Sequence, residues 1–391
     1  MHRWLVPTPW AVGPFLTFDD KALTACCHGA EGLDRSWMAR EARLHDVPPR
    51  PRIGIFLVGC VLAGVMLGAC SSGGVSLGSL PGGSSSSPGS SGSPANPKGA
   101  GTWSALQSID PGNALQWVSC SAVNYCVAVD GLSGSSTKAG NALTYDGSSW
   151  SAPVSVGSPA SLLSDSCPTS SFCAAVDNGG NAFTYGGSDW TAAQRVAANQ
   201  FSTVSCASSS FCVAGTNVGH ASLWDGTSWS KPAKVTANGQ GLTVVSCPTA
   251  TFCAAVDGTD AYTFDGSSWS SGQTLGAAGS GPADVSCPAP SFCAAVGNDG
   301  TAYTYNGTSW STGTKIGVVN GTSIGLQAVS CASSSFCMAI SENNWYMIFN
   351  GHSWSSPAMV GTGQGLAAVS CPSSTFCMAV DNGTDARSWH A

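Results

Sequence analysis

Fourteen cysteines beyond residue 100 fall into seven pairs, each with five residues between its members: Cys120/Cys126, Cys167/Cys173, Cys206/Cys212, Cys247/Cys253, Cys287/Cys293, Cys331/Cys337 and Cys371/Cys377. The pairs return about every 40 residues, so whatever one unit folds into, the chain repeats seven times. A full unit reads LTVVSCPTATFCAAVDGTDAYTFDGSSWSSG, from Leu242 to Gly272. It holds four short runs, LTVVSC, FCAAV, AYTF and SSWS, separated by PTAT, DGTD and DG, all rich in turn formers. Four strands per 40-residue repeat is the pattern of a β-propeller blade.

The strand count adds a closure device. The seventh unit stops after its third run, DARSWHA, yet the fourth-run motif still occurs seven times, because GTWSALQSI with Trp103 precedes the first unit. The other copies carry Trp150, Trp190, Trp229, Trp269, Trp310 and Trp354. A first strand that completes the last blade closes a ring and leaves no open edge. The expected fold is therefore all-β, a seven-bladed propeller of four-stranded blades over 101–391, closed by its N-terminal strand.

In each blade the two cysteines are expected to end the first strand and begin the second, across a short hairpin turn. Cross-strand neighbours about 5.5 Å apart at Cα suit a disulfide, and closing so short a loop stabilises by roughly 2 kcal/mol in the chain-entropy model. Seven zinc sites are the rival reading, but zinc takes shorter spacings and four ligands. Seven disulfides imply an oxidising compartment.

The N-terminal region agrees with export. Arg50 and Arg52 precede an apolar run from Ile53 to Ala69, then Cys70, and basic, apolar and small residues in that order form a secretory signal. The sequence LGAC (Leu67 to Cys70) resembles the lipobox of bacterial lipoproteins. That resemblance implies cleavage before Cys70 and a diacylglyceryl thioether on its sulfur. An uncleaved anchor is the alternative, since about 17 apolar residues is near the lower limit for a span. Met38 begins a basic n-region of ordinary length, which would leave Cys26, Cys27 and Cys60 out of the mature protein. From Ser71 to Gly101 the chain is nearly all Ser, Gly and Pro, a composition that forms no core and reads as a tether of roughly 30 Å. The domains are thus 1–69, signal region; 70–100, lipidated cysteine and tether; and 101–391, propeller.

Charge narrows the partners. Only 9% of residues are charged, the formal net charge is −7, and beyond residue 100 there are two arginines and four lysines. Nucleic acid needs clustered Lys and Arg and is excluded as a partner.

The runs YDGSSWS (Tyr145 to Ser151), FDGSSWS (Phe264 to Ser270) and YNGTSWS (Tyr305 to Ser311) resemble a shortened Asp-box, the hairpin motif of sialidase-type propellers, with the residue between Asp and Gly absent. The resemblance implies that the Trp packs between strands. A sugar-stacking role, as in propeller lectins, is the other reading. The repeat region also resembles secreted SC…FC repeat proteins of high-GC Gram-positive bacteria. Sialidases grip their substrate with three arginines and use a Tyr/Glu pair with an Asp acid. Here Arg195 and Arg387 are only two, Glu342 is the sole glutamate of the repeats, and His220, His352 and His390 stand apart. No cofactor or metal is called for, and no catalytic residue is assigned.

One pattern suggests a face. The turn between the second and third strands begins with an acid at Asp130, Asp177, Asp257, Asp299, Glu342 and Asp381, with Asp260 and Asp385 nearby. An acidic ring around the channel could hold a cation or a basic partner. The plainer reading is that Asp makes good turns. The expectation is a monomeric lipoprotein on the outer face of the cytoplasmic membrane, whose propeller is a non-catalytic binding or scaffolding module for an envelope protein or glycan. The alternative is a lectin or sialidase-like glycoside hydrolase acting on cell-wall or host glycans.

Overall fold

The computed structural model describes residues 101–131, 140–157, 160–276 and 279–391. Cys70, the signal region and the tether lie outside the described residues. Seven antiparallel sheets follow one another along the chain, over 114–155, 162–195, 201–234, 244–274, 282–315, 328–359 and 366–390, numbered here as blades 1 to 7. In blade 4 the strands are Val244–Thr249, Phe252–Val256, Asp260–Phe264 and Gln273–Thr274, paired in sequence order. The first lies against the central channel and the last on the rim.

The core lies between sheets rather than inside one. Each apolar cluster joins adjacent blades: Ala174, Val176 and Ala182 of blade 2, for example, pack on Phe201, Val204 and Trp224 of blade 3. Second strands such as Phe252–Val256 are covered on both faces, so they read as continuous apolar runs rather than alternating ones. Blade 7 packs on blade 1 through Val380, Met378 and Phe376 against Leu115, Val118 and Ala128, which makes the array a ring.

All seven cysteine pairs are disulfides within their own blades. Cα atoms are 3.9 Å apart in Cys120–Cys126, Cys206–Cys212 and Cys331–Cys337. They are 4.1 Å apart in Cys167–Cys173, Cys247–Cys253, Cys287–Cys293 and Cys371–Cys377. Two expectations about these residues need correction.

The first concerns their place in the strands. The cysteines do not mark the strand ends facing the turn, because each hairpin is tighter than the sequence suggested. Every first strand runs two residues past its cysteine, as Phe201–Ser208 does past Cys206. Cys126, Cys173, Cys212, Cys253, Cys293, Cys337 and Cys377 are each the second residue of the next strand, after the aromatic that opens it. All seven are 0% exposed, held between neighbouring blades rather than in a surface turn.

The second is the distance, which is shorter than the 5.5 Å of a hydrogen-bonded pair anticipated above. The reason is local. In each blade the N–H of the first cysteine leaves its own ladder and donates across to the sheet before it. The acceptor is the hydroxyl of the serine that precedes the first cysteine of the preceding blade. Cys247 donates to Ser205 Oγ at 2.9 Å, Cys287 to Ser246 at 2.9 Å, and Cys331 to Ser286 at 3.0 Å. The same bond runs from Cys167 to Ser119, Cys206 to Ser166, Cys371 to Ser330 and Cys120 to Ser370, each at 2.9 Å. The cysteine pair is thus a non-hydrogen-bonded one, the class in which Cα atoms lie closest.

The outer strand also differs from its sequence outline. The Trp of SSWS is not in the ladder of strand four. It forms an isolated bridge, Phe264 with Trp269, and the paired strand comes later, at Gln273–Thr274. The serine after the Trp explains the break: Ser270 N donates to Thr263 O, and Thr263 N donates to Ser270 Oγ at 2.9 Å. A side-chain oxygen takes the place of the backbone carbonyl, and the strand peels away. The Gly before it, at φ 92–95° in blades 1 to 6, sits in the left-handed region where a Cβ is strained.

In blade 7 the outer segment comes from the other end of the described chain. Thr102–Trp103 pairs with Asp385–His390, Trp103 opposite Trp389, and Gln107–Ser108 pairs further along the same strand. Ser104 N donates to Ser388 O, and Ser388 N donates to Ser104 Oγ, the exchange seen at Ser270 and Thr263. Deleting 101–108 removes Trp103 and these bonds, a loss on the order of 5 kcal/mol. Deleting 75–95 should leave the melting temperature unchanged, and equal melting of the two deletion variants would refute closure by this segment. Ser246→Ala orphans the Cys287 amide and should lower stability by about 1–3 kcal/mol in chemical denaturation. No loss in that measurement would reject a structural role for the serine belt.

Candidate functional site

The propeller has two unlike ends. Hairpin turns between first and second strands, the DG turns and all seven disulfides lie at one end, the disulfide face. Turns between second and third strands and the connections between blades lie at the other, the mouth face. Both Gly101 and Ala391 are at the disulfide face, because Thr102 pairs with His390 and Ala391 N bonds Thr375 O in the first hairpin turn of blade 7.

The channel holds two cavities. At the mouth face the lining of a funnel of about 400 Å³ includes the residue four before the first cysteine of every blade: Gln116, Leu163, Ser202, Thr243, Ala283, Gln327 and Ala367. Deeper, a chamber of about 170 Å³ is lined by the seven belt serines and by Asp165 and Asp284. Trp117 lines both. It is half-buried and packs on the clusters that join blade 1 to blades 7 and 2 and also on the cluster of blades 4 and 5, across the ring. The indole therefore stands as a floor between funnel and chamber.

Asp165 and Asp284 add two buried carboxyls to the serine-lined chamber. Asp165 stands where the other six blades carry valine, two residues before the first cysteine. It is 1% exposed, and its Oδ1 has no hydrogen-bond partner. Its Oδ2 lies 3.8 Å from the Cys167 sulfur, which in a disulfide has no proton to give. Burial pushes its pKa well above the carboxylate range. Nearby, Tyr125 takes the place of the phenylalanine of the other blades, and its hydroxyl is also buried without a partner. Burial, with Tyr185 and Asp165 close by, pushes that phenol up to about 12. Asp284 is better served: Val285 N donates to Oδ1 at 2.6 Å and Val329 N to Oδ2 at 2.7 Å, joining blades 5 and 6. Burial still pushes it up to about 7.

The acidic turn residues lie on the mouth face but do not form a charged ring. Asp130, Asp177, Asp257 and Asp381 are 0–6% exposed. Their carboxylates accept from their own turns: Asp177 Oδ1 from Gly179 N and Asn181 N, and Asp257 Oδ1 from Thr259 N and Asp260 N. Asp381 accepts from Gly383 N and Asp385 N, and Asp130 from Asn141 N and Nδ2. Thr216 and Ser341 do the same work in blades 3 and 6 with a hydroxyl, and Gly297 holds the place in blade 5. Asp299 and Glu342 are offset from this position. Asp299 pairs with Lys315 at 2.6 Å, and Glu342 is exposed. Burial and the neighbouring Asp110 push Asp130 up to about 7.

The remaining candidates are scattered. Arg387 is buried, donating to Val360 O and Thr362 O at 2.9 and 2.7 Å, while Arg195 is on the outer strand of blade 2 and donates to Ala198 O. They form no clamp. The Trp of the DG turns leans on the aromatic residue ending strand three, with centroids 5.3–5.6 Å apart, and is buried or half-buried. The turn aspartates Asp146 and Asp225 accept two backbone N–H groups each, which with the adjacent hydroxyls lowers them to about 2. Sequence reading missed Trp117, Asp165 and the belt serines. Aligning the seven inner strands shows the first two as departures and the serine as the residue without exception.

No protein-family model matches the chain, and no curated protein matches its sequence. Solved structures do resemble it. One described as YCF48 bound to D1 peptide superposes with a TM-score of 0.58 at 11% identity, covering 76% of this chain and 99% of that one. Another, described as the structure of U3-55K, gives 0.63 at 6% identity, covering 73% and 98%. At such identities the likeness is one of fold alone.

The raised carboxyls set a pH dependence. A carboxyl near 7 in the fold and near 4 unfolded binds more protons when folded, so stability falls as pH rises from about 4 to about 7. The lowered Asp146 and Asp225 act oppositely and withdraw their support as pH falls towards 2. The melting temperature should peak near pH 4–5. Asp165→Val restores the residue of the other blades and removes an orphaned carboxyl, a gain of about 1–3 kcal/mol at pH 8. The gain should shrink at pH 4.5. A variant that melts no higher than the parent at pH 8 would contradict the placement of Asp165.

Proposed function

We propose that the protein is a lipid-anchored module of the cell envelope, held by Cys70 on the outer face of the cytoplasmic membrane, whose propeller binds or scaffolds an envelope protein. The observation that carries this reading is the placing of the chain ends. Gly101 leaves at the disulfide face, so a tether attached there joins the propeller at the end opposite the funnel and leaves the mouth face unobstructed. A propeller of the same fold has been solved with a peptide bound, which supports protein binding as a use of such a scaffold. The aromatic packing of the rim Trp residues favours this over stacking of sugars on the rim.

The test uses the full chain in native membranes. Asn298→Arg and Gln327→Arg alter exposed residues of the mouth face, and Ser209→Arg and Ser374→Arg alter exposed residues of the disulfide face. Cross-linked proteins quantified by mass spectrometry should fall at least ten-fold for the mouth pair and stay within two-fold for the other. Loss confined to the disulfide-face pair would reverse the assignment, and recovery of polysaccharide instead of protein would favour the glycan alternative. The same spectra report the N-terminal peptide, where an unmodified Cys70 rejects the lipid anchor.

A further inference from the structure

Resting on the mouth face as the working face, the geometry points to the ligand class: the funnel takes an uncharged peptide segment that lays one apolar side chain on Trp117. Three observations converge on this. The first is the floor itself. At the position of Trp117, three residues before the first cysteine, the other blades carry Ser164, Thr203, Val244, Asp284, Ala328 and Ala368. A single indole among small residues crosses the axis and reaches the blades opposite. The channel is therefore blind at that depth, and its polar chamber lies out of reach beneath.

The second is the wall. Leu163, Pro282 and Ala283 accompany the indole on the wall, with the amides of Gln116 and Gln327 level with Leu163 and Ala283 and those of Asn298 and Asn382 in the turns around them. Side-chain amides both donate and accept, as the peptide group does, so a set of them suits a backbone entering over an apolar floor. A volume of about 400 Å³ admits a side chain with its flanking peptide groups. Ser202 Oγ is engaged with the carbonyls of Gly215 and Leu242, and Thr243 Oγ1 with that of Val256.

The third is charge. Among the described residues, no titratable side chain lines the funnel. Of the acids in the surrounding turns, Asp177, Asp257 and Asp381 are turned into their own backbone, Asp299 is matched by Lys315, and Glu342 is exposed outside the funnel lining. A charged side chain entering here would lose its water and meet no counter-charge. The site selects neutrality.

The test titrates the full chain, labelled with 5-fluorotryptophan, with capped peptides Gly-Gly-Xaa-Gly-Gly in which Xaa is Leu, Phe, Pro, Asp or Lys. The fluorine resonance of Trp117 is assigned by its loss in Trp117→Phe. The Leu, Phe and Pro peptides should move that resonance, and the Asp and Lys peptides should bind at least ten-fold more weakly. Trp117→Ala should weaken the Leu peptide ten-fold or more. Because that change also opens the core, Gln327→Asp provides the second arm: an exposed funnel residue gains a charge, and preference should swing ten-fold towards the Lys peptide. A Trp117 resonance unmoved by all five peptides, equal binding of charged and neutral peptides, or movement by N-acetylglucosamine alone would overturn the proposal. If the funnel fails while the mouth-face substitutions still abolish cross-linking, the working face stands and only its ligand class falls. If cross-linking maps to the disulfide face, the function falls whatever the peptides do.

Discussion

A propeller's weakest line is the inner edge of each blade, where the first strand presents unpaired amides to the channel. Here that edge is closed by one repeated interaction, the cysteine N–H of each blade donating to the serine hydroxyl of the blade before it. Seven such bonds make a continuous belt, from Cys167 on Ser119 round to Cys120 on Ser370. The belt does for the inner edge what a covering strand does in an open sheet. It also leaves each cysteine pair free of ladder bonds and therefore close enough for its disulfide. Sheet, crosslink and ring are thus coupled through a dipeptide, Ser-Cys, repeated in every blade.

Against so regular a background, departures carry the information. Trp117 replaces a small residue and divides the channel, Asp165 replaces a valine, and Tyr125 replaces a phenylalanine. Asp165 and Tyr125 come from neighbouring blades and meet in one interface with two buried oxygens unserved. Stability alone would not retain them, since a valine and a phenylalanine serve at these two positions in the other interfaces, as Val285 and Phe252 do between blades 4 and 5. The irregular side of the ring is the side of blades 1 and 2.

The acidic turns show how one sequence pattern can carry two readings, a charged face or a self-satisfied turn. An acid recurs at the head of the second turn, and the turns do gather on the mouth face. Whether such an acid faces solvent or folds back on its own amides depends on two or three backbone angles that composition does not report. The replacement of Asp177 by Thr216 and Ser341 in sister blades is the readable clue, for a hydroxyl can take over a hydrogen bond but not a charge.

The blade number, the disulfide pairing and the four-strand unit were all legible in the chain, because each is local and stated seven times over. Repetition makes a weak signal strong: one Cys-x5-Cys hairpin is ambiguous, and seven at a fixed period are not. Strand limits were less legible. The ladder runs past Cys206 to Ser208 and opens again at Phe211, before Cys212, since turn-forming residues can still pair. The outer strand was misplaced by a few residues because the serine after Trp269 takes a backbone role that only hydrogen-bond geometry reveals. The funnel, its indole floor and the buried Asp165 belong to the tertiary structure alone. Their residues come from blades far apart in sequence, and only closing the ring sets Trp117 against the apolar cluster of blades 4 and 5 across the axis.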